Sequence, residues 1–181
     1  METGFGDDSY TEGIWKVFDD SGDGGESKVV WDVETADGNP DDNLVQQYGG
    51  ISGKAVLGKG SLTYNPFAGV GFDVAGDYLG APAAANASAW EGIAIAYQSD
   101  VAPILELSLG DAVDQTIGYA YPRVQLQASP NGTIFVRIPW SDFKQPDTYT
   151  GDTKISGPDA ANQLVSIRFK IQAPSGSYHF N

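Results

Sequence analysis

Cysteine is absent from this sequence of 181 residues, and histidine occurs once, at His179. The lack of cysteine excludes disulfides, thiolate metal sites and a cysteine nucleophile. One histidine cannot build a zinc site of several histidines, and the chain has no Gly-x-Ser-x-Gly motif for a serine triad. A hydrolase of either kind is therefore not predicted.

Basic residues are scarce as well. The chain has 10 lysines and arginines against 24 aspartates and glutamates, which gives a net charge of −14. This charge would repel the phosphates of nucleic acids and the surface of an anionic membrane, so neither is expected as a partner. A neutral polymer such as cellulose or another glucan suits the charge better.

Long hydrophobic runs are missing, whereas turn-forming residues are plentiful. No apolar stretch reaches the roughly 18 residues that a membrane helix needs. The chain has 23 glycines and 10 prolines, and short segments of alternating apolar and polar residues lie between them. This pattern predicts an all-β chain, an antiparallel β-sandwich of about ten strands, as one domain over residues 13–181. Residues 1–12 are expected to form a flexible N-terminal arm.

Several local features of the sandwich follow from the same pattern. Residues 123–128 and 133–138 are expected to form a hairpin, because the turn signal Pro-Asn-Gly at 130–132 separates them. The strand that begins at residue 54 is expected to continue through residues 61–64. The aromatic side chains expected in the core are Trp15, Trp90, Phe135 and Phe169.

An acidic turn near the N-terminus has the spacing of a calcium loop. Asp19, Ser21 and Asp23, followed by Gly24, match the first half of such a loop. The glutamate expected at its twelfth position is missing, since Val30 stands there. The alternative is a solvated turn in which aspartate and glycine are chosen for their backbone conformation. The sequence therefore leaves two predictions open, a loop that binds a structural Ca²⁺ ion and a solvated turn without one.

Paired carboxylates would be needed for a glycosidase. Asp32 and Glu34 are two positions apart in a segment predicted as a strand, so they would share one face. A retaining glycosidase holds its two carboxyl groups about 5–5.5 Å apart. The favoured interpretation is a solvated strand edge beside an acidic loop.

Tyrosines cluster with polar residues in the second half of the chain. Tyr119, Tyr121 and Tyr149 lie among Gly, Pro, Asp and Thr, with Arg123 and Asp147 close in sequence. Sugars present apolar C–H faces that stack on aromatic rings, and hydroxyl groups that need donors and acceptors. The cluster therefore indicates a carbohydrate site.

Several segments, taken in order, resemble the family 11 carbohydrate-binding modules. Residues 133–143, Thr-Ile-Phe-Val-Arg-Ile-Pro-Trp-Ser-Asp-Phe, resemble a strand of that family that ends in Ile-Pro-aromatic-Ser-x-Phe. Residues 90–111 resemble its central hairpin. Its closing strands are matched by residues 165–169 and 176–181. The segments similar to related modules in secreted proteins of cellulose-degrading bacteria are 13–27 and 49–57.

The resemblance implies a jelly roll whose concave face binds one β-glucan chain, β-1,4 or mixed-linkage, without catalysis. Aromatic rings would stack on the sugars, while charged side chains would hydrogen-bond to the hydroxyl groups. It also implies a monomeric module of a larger bacterial protein that is secreted or held at the cell surface. By position in the family pattern, or as neighbours of those positions, the candidate ligand-binding residues are Tyr149, Asp147, Tyr121, Arg123, Tyr119, Phe67, Phe18 and Lys144.

Two other functions stay open at this point. One is a structural or adhesive β-sandwich that binds protein and lacks a sugar site. The other is a β-glucanase that uses Asp32 and Glu34. Exposed aromatic rings on one sheet would favour glucan binding, a flat apolar patch would favour the adhesive protein, and two facing carboxylates in a cleft would favour the enzyme.

Overall fold

The computed structural model describes residues 15–34, 44, 47–76 and 81–181, so the predicted arm at 1–12 lies outside the described residues. Twelve strands are present in the described part. They are β1 (Trp15–Asp19), β2 (Lys28–Trp31), β3 (Gly53–Leu57), β4 (Phe67–Asp73), β5 (Ala75–Gly76), β6 (Pro82–Ala83), β7 (Gly92–Ser99), β8 (Ile104–Ser108), β9 (Arg123–Gln125), β10 (Ser129–Pro139), β11 (Ser166–Gln172) and β12 (Gly176–Phe180).

Helical structure in the described part of the chain lies in the connections between strands. Two helices have both ends among the described residues, α1 (Asp111–Thr116) and α2 (Gly157–Ala161), and 3-10 turns cover Ser21–Asp23 and Trp140–Asp142. The α2 helix starts at a capping box in which Ser156 and Asp159 satisfy each other's backbone N–H groups. None of the helices in the described part of the chain has the length and apolar character needed to cross a bilayer.

Ten of the strands form two five-stranded antiparallel sheets. Sheet 1 has the order β1-β4-β11-β8-β9, and sheet 2 has the order β10-β7-β12-β3-β2. Most neighbours in a sheet are distant in sequence, because the chain passes repeatedly from one sheet to the other. This is an antiparallel β-sandwich of jelly-roll type, and the predicted fold class is confirmed.

Alternation along each strand creates the core between the sheets. In β11, Ile167, Phe169 and Ile171 are buried, while the residues between them are only half-buried and point away from the core. Phe169 of sheet 1 packs its ring 5.9 Å from Tyr97 and 6.2 Å from Phe180, both of sheet 2. The strand β11 therefore presents apolar side chains to the core and polar ones to the outer face of sheet 1.

The predicted hairpin of residues 123–128 and 133–138 is wrong. The strand β9 pairs with β8 in sheet 1, whereas β10 pairs with β7 in sheet 2. The turn signal at 130–132 lies within β10, where the pairing is irregular between Ser129 and Ile134. A local Gly-containing signal thus marks a bulge in one strand and not a connection between two.

The expected burial of two aromatic residues and the expected length of one strand are also corrected. Phe135 is 61% exposed and Trp90 is 43% exposed, so neither is a core residue. Phe169 is buried and Trp15 packs against the core, as expected. Phe135 alternates with inward-facing residues of β10 and falls on the outer side. Residues 61–64 form a turn and not a continuation of β3, because the chain bends there before Pro66.

Candidate functional site

The outer face of sheet 1 carries a row of charged residues that crosses the whole sheet. Directly paired residues of adjacent strands project to the same side. The register pairs Lys16 with Gly71, Gly71 with Arg168, Arg168 with Glu106, and Glu106 with Arg123. A bridge pairs Arg123 with Lys144 and adds one more backbone segment at the sheet edge. We call this set the charged row: Lys16, Arg168, Glu106, Arg123 and Lys144.

Aromatic rings form a second line on the same face. The Tyr64 and Phe67 rings are stacked with centroids 6.5 Å apart, and Phe67 lies 6.4 Å from Phe18. The guanidinium carbon of Arg168 lies 3.9 Å from the Phe18 centroid and 5.0 Å from that of Tyr121. The Tyr121 ring in turn lies 6.3 Å from Tyr119. The aromatic line is therefore Tyr64, Phe67, Phe18, Tyr121 and Tyr119, with Arg168 at its centre.

Glycines in β4 create the space for the middle of this line. A Cβ atom on Gly69 would lie 2.6 Å from the Phe18 ring and 2.2 Å from the backbone oxygen of Phe169. One on Gly71 would lie 3.2 Å from the side chain of Arg168. Because β4 has no side chain at either position, the Phe18 ring and the Arg168 stem lie against its backbone.

A buried ion pair joins Glu106 of the charged row to Lys170 on the same side of the sheet. The Lys170 ammonium is 2.5 Å from Oε1 of Glu106, and the two side chains are 12% and 2% exposed. Burial lowers the pKa of Lys170, and the neighbouring Glu106 carboxylate opposes that shift. Oε2 of Glu106 is buried without a hydrogen-bond partner among the described residues. The Lys170 ammonium also lies 5.0 Å from the centre of the Phe67 ring.

Arg168 is held in place by Tyr121. Nη1 of Arg168 donates a hydrogen bond of 2.7 Å to the Tyr121 hydroxyl. Burial raises the pKa of Tyr121 to about 12, so its hydroxyl stays protonated at neutral pH and keeps one proton to donate. Tyr121 is buried, whereas Tyr119 beside it is 57% exposed.

A cleft of about 410 Å³ opens between α1, β1 and β11 at one end of the face. Asp114 of α1 accepts hydrogen bonds from Oγ of Ser108 at 2.6 Å and from the backbone N–H of Leu109 at 2.9 Å. Burial raises the pKa of Asp114 above its usual range. Lys16 forms an ion pair with Asp73 across the same cleft. Asp73 and Asp114, two of the carboxylates that line this cleft, therefore already have protein partners.

A shallow recess of about 490 Å³ adjoins the opposite end of the charged row and contains Lys144, Asp147 and Tyr149. Two backbone hydrogen bonds of 3.0 and 3.1 Å join Lys144 to Arg123, so the recess continues from β9. Tyr149 packs against the core, and the Lys154 ammonium lies 4.5 Å from the centre of its ring. Tyr149 is thus less accessible for stacking than its polar sequence surroundings predict.

The predicted ligand-binding residues fall into two adjoining groups. Phe18, Phe67, Tyr119, Tyr121 and Arg123 lie together on or beside the outer face of sheet 1, and Lys144 joins that face to the recess of Asp147 and Tyr149. The residues that sequence reasoning missed are Tyr64, Glu106, Arg168 and Lys170. Arg168 and Lys170 could have been found from the sequence of β11, because they alternate with buried apolar residues and must therefore point outward.

Comparison with known proteins gives matches only at the level of structure, since neither a protein-family model nor a curated protein sequence matches the chain. The chain is similar to the family 11 carbohydrate-binding module of the cellulosomal cellulase Lic26A-Cel5E of Clostridium thermocellum. Identity is 14% and the TM-score 0.43, over 95% of this chain and 88% of that one. It is also similar to a family 11 module from Clostridium thermocellum in complex with a β-1,3-1,4-mixed-linked tetrasaccharide. There identity is 14% and the TM-score 0.45, over 96% and 89% of the two chains. Both matches are to the family that the sequence motifs resemble.

The loop predicted to bind calcium is held together by its own hydrogen bonds. Oδ1 of Asp19 accepts from the backbone N–H of Ser21 at 2.9 Å, and Oδ2 of Asp23 accepts from the Tyr64 hydroxyl at 2.6 Å. That hydrogen bond, with burial and the nearby carboxylates, raises the pKa of Tyr64 to about 12. Between these residues, Asp20 is buried and accepts three hydrogen bonds from Ser27 and Phe67.

The oxygen donors of Asp19, Ser21 and Asp23 suit Ca²⁺ in kind. In the described residues, however, no three carboxylate, histidine or cysteine side chains come together as a metal site. Each of the two carboxylates keeps one oxygen atom with no hydrogen bond in the described structure. Calcium binding at this loop therefore stays a prediction.

We expect chelation of calcium to lower the melting temperature by about 5–10 °C, if the ion is present at about 100 times its Kd. The measurement is thermal unfolding by circular dichroism with excess Ca²⁺ and with EDTA. The double variant Asp19→Asn/Asp23→Asn should lose this response. Equal melting temperatures in both buffers, with no calcium found by elemental analysis, would rule the ion out.

The carboxylates considered for a glucanase lie elsewhere and do not share a strand. The strand β2 ends at Trp31, so Asp32 and Glu34 lie in the bend that follows it in sheet 2. Oδ2 of Asp32 accepts a hydrogen bond of 2.5 Å from Ser52, and Nε2 of His179 lies 3.2 Å from the same atom. Nε2 of His179 also lies 3.5 Å from Oγ of Ser52. One ring nitrogen thus faces both partners, whereas a catalytic triad uses the two nitrogens separately.

Proposed function

We propose that the outer face of sheet 1 is a non-catalytic binding surface for a β-linked glucan chain. The observation that carries the proposal is the aromatic line, with Arg168 at its centre and Arg123 and Lys170 beside it. Rings supply apolar surfaces for the C–H faces of pyranose sugars. The guanidinium and ammonium groups supply donors for their hydroxyl oxygens.

The shape of this face favours an extended chain over a single sugar. The rings belong to the turn before β4, to β4, to β1 and to the segment after α1, and Arg168 of β11 lies between Phe18 and Tyr121. Tyr64 and Tyr119 at the two ends are 40% and 57% exposed. A β-1,4-linked or mixed-linkage glucan is an extended ribbon that presents successive ring faces. Several rings spaced along one line are therefore better matched to such a ribbon than to a compact monosaccharide.

Hydrolysis is not part of the proposal, because three carboxylates of this face are already engaged. Glu106 pairs with Lys170, Asp73 pairs with Lys16, and Asp114 accepts hydrogen bonds from Ser108 and Leu109. A general acid and a nucleophile must both reach the glycosidic bond. A buried Glu106 and paired aspartates suit the positioning of cations instead.

The recess of Lys144, Asp147 and Tyr149 is proposed as an extension of the same surface, since it adjoins Arg123. The resemblance noted in the sequence supports a wider proposal. In that proposal the domain serves a larger bacterial protein, secreted or at the cell surface, by holding it near its polysaccharide.

Phe67→Ala is expected to weaken binding of cello-oligosaccharides and mixed-linkage glucan about tenfold. An aromatic stacking contact contributes about 1–2 kcal/mol, by analogy with other ring contacts, and ~1.4 kcal/mol is a factor of ten. The measurement is isothermal titration calorimetry, with circular dichroism as a control for folding.

A matched control is available on the other side of the sandwich. Phe135 on β10 also points outward from a strand and has an arginine nearby, Arg137, at 5.8 Å from its ring centre. Phe135→Ala should leave glucan affinity unchanged. Equal losses in both variants would contradict the assignment of the face, and no binding by the unmodified protein to either glucan would favour the adhesive protein instead.

A further inference from the structure

One part of the proposed binding face carries a charge opposite in sign to that of the whole chain. The outward positions of β8, β9 and β11, with the bridged Lys144, carry four cations and one carboxylate. The chain as a whole has only 10 basic residues against 24 acidic ones. The cations at this end of the face are Arg123, Lys144, Arg168 and Lys170.

Most of these cations lack an acidic partner. Lys170 pairs with Glu106, but Arg168 makes its hydrogen bond to the neutral hydroxyl of Tyr121. The side chains of Arg123 and Lys144 have no ion pair or hydrogen bond with any residue that the structure describes. Arg123 is also half-buried. Among the described residues, Arg123 and Lys144 thus have no ion-pair partner, and Arg168 has only the longer-range attraction of the Asp114 carboxylate.

Their arrangement is suited to a linear ligand. Arg168, Arg123 and Lys144 follow one another in the charged row, with the buried Glu106 between the two arginines. With adjacent strands about 4.8 Å apart, Arg168 and Lys144 are separated by roughly 14 Å across the sheet. Arginine binds a carboxylate through two parallel hydrogen bonds, which a neutral hydroxyl cannot match. The rings of the aromatic line lie on the same face and would contact the sugars themselves.

We propose that this surface selects a β-linked glycan that carries carboxylate groups, in other words a chain containing uronic acid, over the neutral glucan of equal length. The inference rests on the proposed function, because it concerns the same face. The uronate carboxylates would bind Arg123 and Arg168, with Lys144 at the edge. The net charge of the whole chain, which taken alone favours a neutral polymer, is outweighed locally by these cations.

The test compares two oligosaccharides that share one backbone: a β-1,4-linked oligoglucuronate and the cello-oligosaccharide of the same length. We expect the oligoglucuronate to bind at least about tenfold more tightly at low salt, since hydrogen bonds between charged groups are the stronger ones. Raising the ionic strength from about 0.1 M to about 1 M shortens the Debye length from about 10 Å to about 3 Å and should remove much of this difference. Binding of the neutral chain should hardly change.

Two variants that each remove one positive charge test whether the preference for oligoglucuronate depends on the proposed face. Arg123→Gln should weaken oligoglucuronate binding about tenfold more than cello-oligosaccharide binding, because glutamine can still hydrogen-bond to a hydroxyl but cannot pair with a carboxylate. Arg137→Gln removes the same charge from the opposite face of the sandwich and should leave both affinities unchanged. Polyglutamate, a polyanion without sugar rings, should not bind measurably.

Each other outcome has a definite meaning. Equal affinity for the two oligosaccharides at low salt would overturn the selection for uronate and leave the proposed glucan-binding function standing. Binding of neither would overturn both. Equal effects of Arg123→Gln and Arg137→Gln, or binding of polyglutamate as tight as that of the oligoglucuronate, would show unspecific attraction of anions and would also overturn the inference.

Discussion

Glu106→Leu is expected to destabilise the protein by about 3–5 kcal/mol, the cost of removing one partner of a buried ion pair. Lys170 is 12% exposed and would lose the carboxylate that opposes the lowering of its pKa by burial, so it must either keep its charge without a partner or give up its proton, with Arg123 and Arg168 as neighbouring cations. Leucine has nearly the volume of the glutamate, so the loss would come from the unpaired charge and not from a cavity. Chemical unfolding in urea at pH 7 measures the change.

A second variant separates the charge from the packing. In Glu106→Leu/Lys170→Met both charges are replaced by apolar groups of similar size, and stability should return to within about 1–2 kcal/mol of the unmodified protein. The coupling between the two sites then follows from the double-mutant cycle. A loss below about 1 kcal/mol in Glu106→Leu alone would show that Lys170 escapes to water and that the pair is not buried in solution.

The buried ion pair of Glu106 and Lys170 is explained better by where it places charge than by a gain in stability. A buried pair adds little net stability compared with an apolar pair of the same shape. Glu106 sits in the charged row between Arg168 and Arg123, and it also fixes the ammonium of Lys170 beside the Phe67 ring. Its position suits it to fix the buried Lys170 ammonium and to place a negative charge between the two arginines.

The fold class could be predicted because it depends on a local pattern. Side chains alternate between the two faces of a strand, so β11 could be recognised from its own seven residues, with Ile167, Phe169 and Ile171 on one face. Strand pairing does not have this local character. The hairpin between β9 and β10 was wrong because a turn signal says nothing about which sheet each strand joins.

The binding face could be predicted only in part, because strand pairing brings together residues that are far apart in the sequence. Tyr119, Tyr121 and Arg123 are neighbours in sequence, so their clustering was visible. Arg168 and Glu106 meet the aromatic line only through the register of strands that are about 60 residues apart in the chain. Phe18 and Phe67 were placed by the family resemblance and not by any pattern in their own segments.

Phe169→Ala is expected to destabilise the protein by about 3–5 kcal/mol, because it leaves a cavity where the two sheets meet. The Phe169 ring contacts Tyr97 and Phe180 of sheet 2, and its strand carries Arg168 and Lys170 outward on either side. The core contact therefore also supports the binding face. Phe135→Ala, at a site that is 61% exposed, should change stability by less than about 0.5 kcal/mol.

Tyr97→Phe provides an intermediate case within the same cluster. It removes only the hydroxyl, which donates a hydrogen bond of 2.8 Å to the backbone oxygen of Gln127, and it should cost about 1 kcal/mol. All three variants are to be compared by urea unfolding, where a shift in midpoint at constant slope reports stability alone. If Phe169→Ala lost no more than Phe135→Ala, Phe169 could not be the side chain that joins the two sheets, and the support it gives to the binding face would be refuted as well.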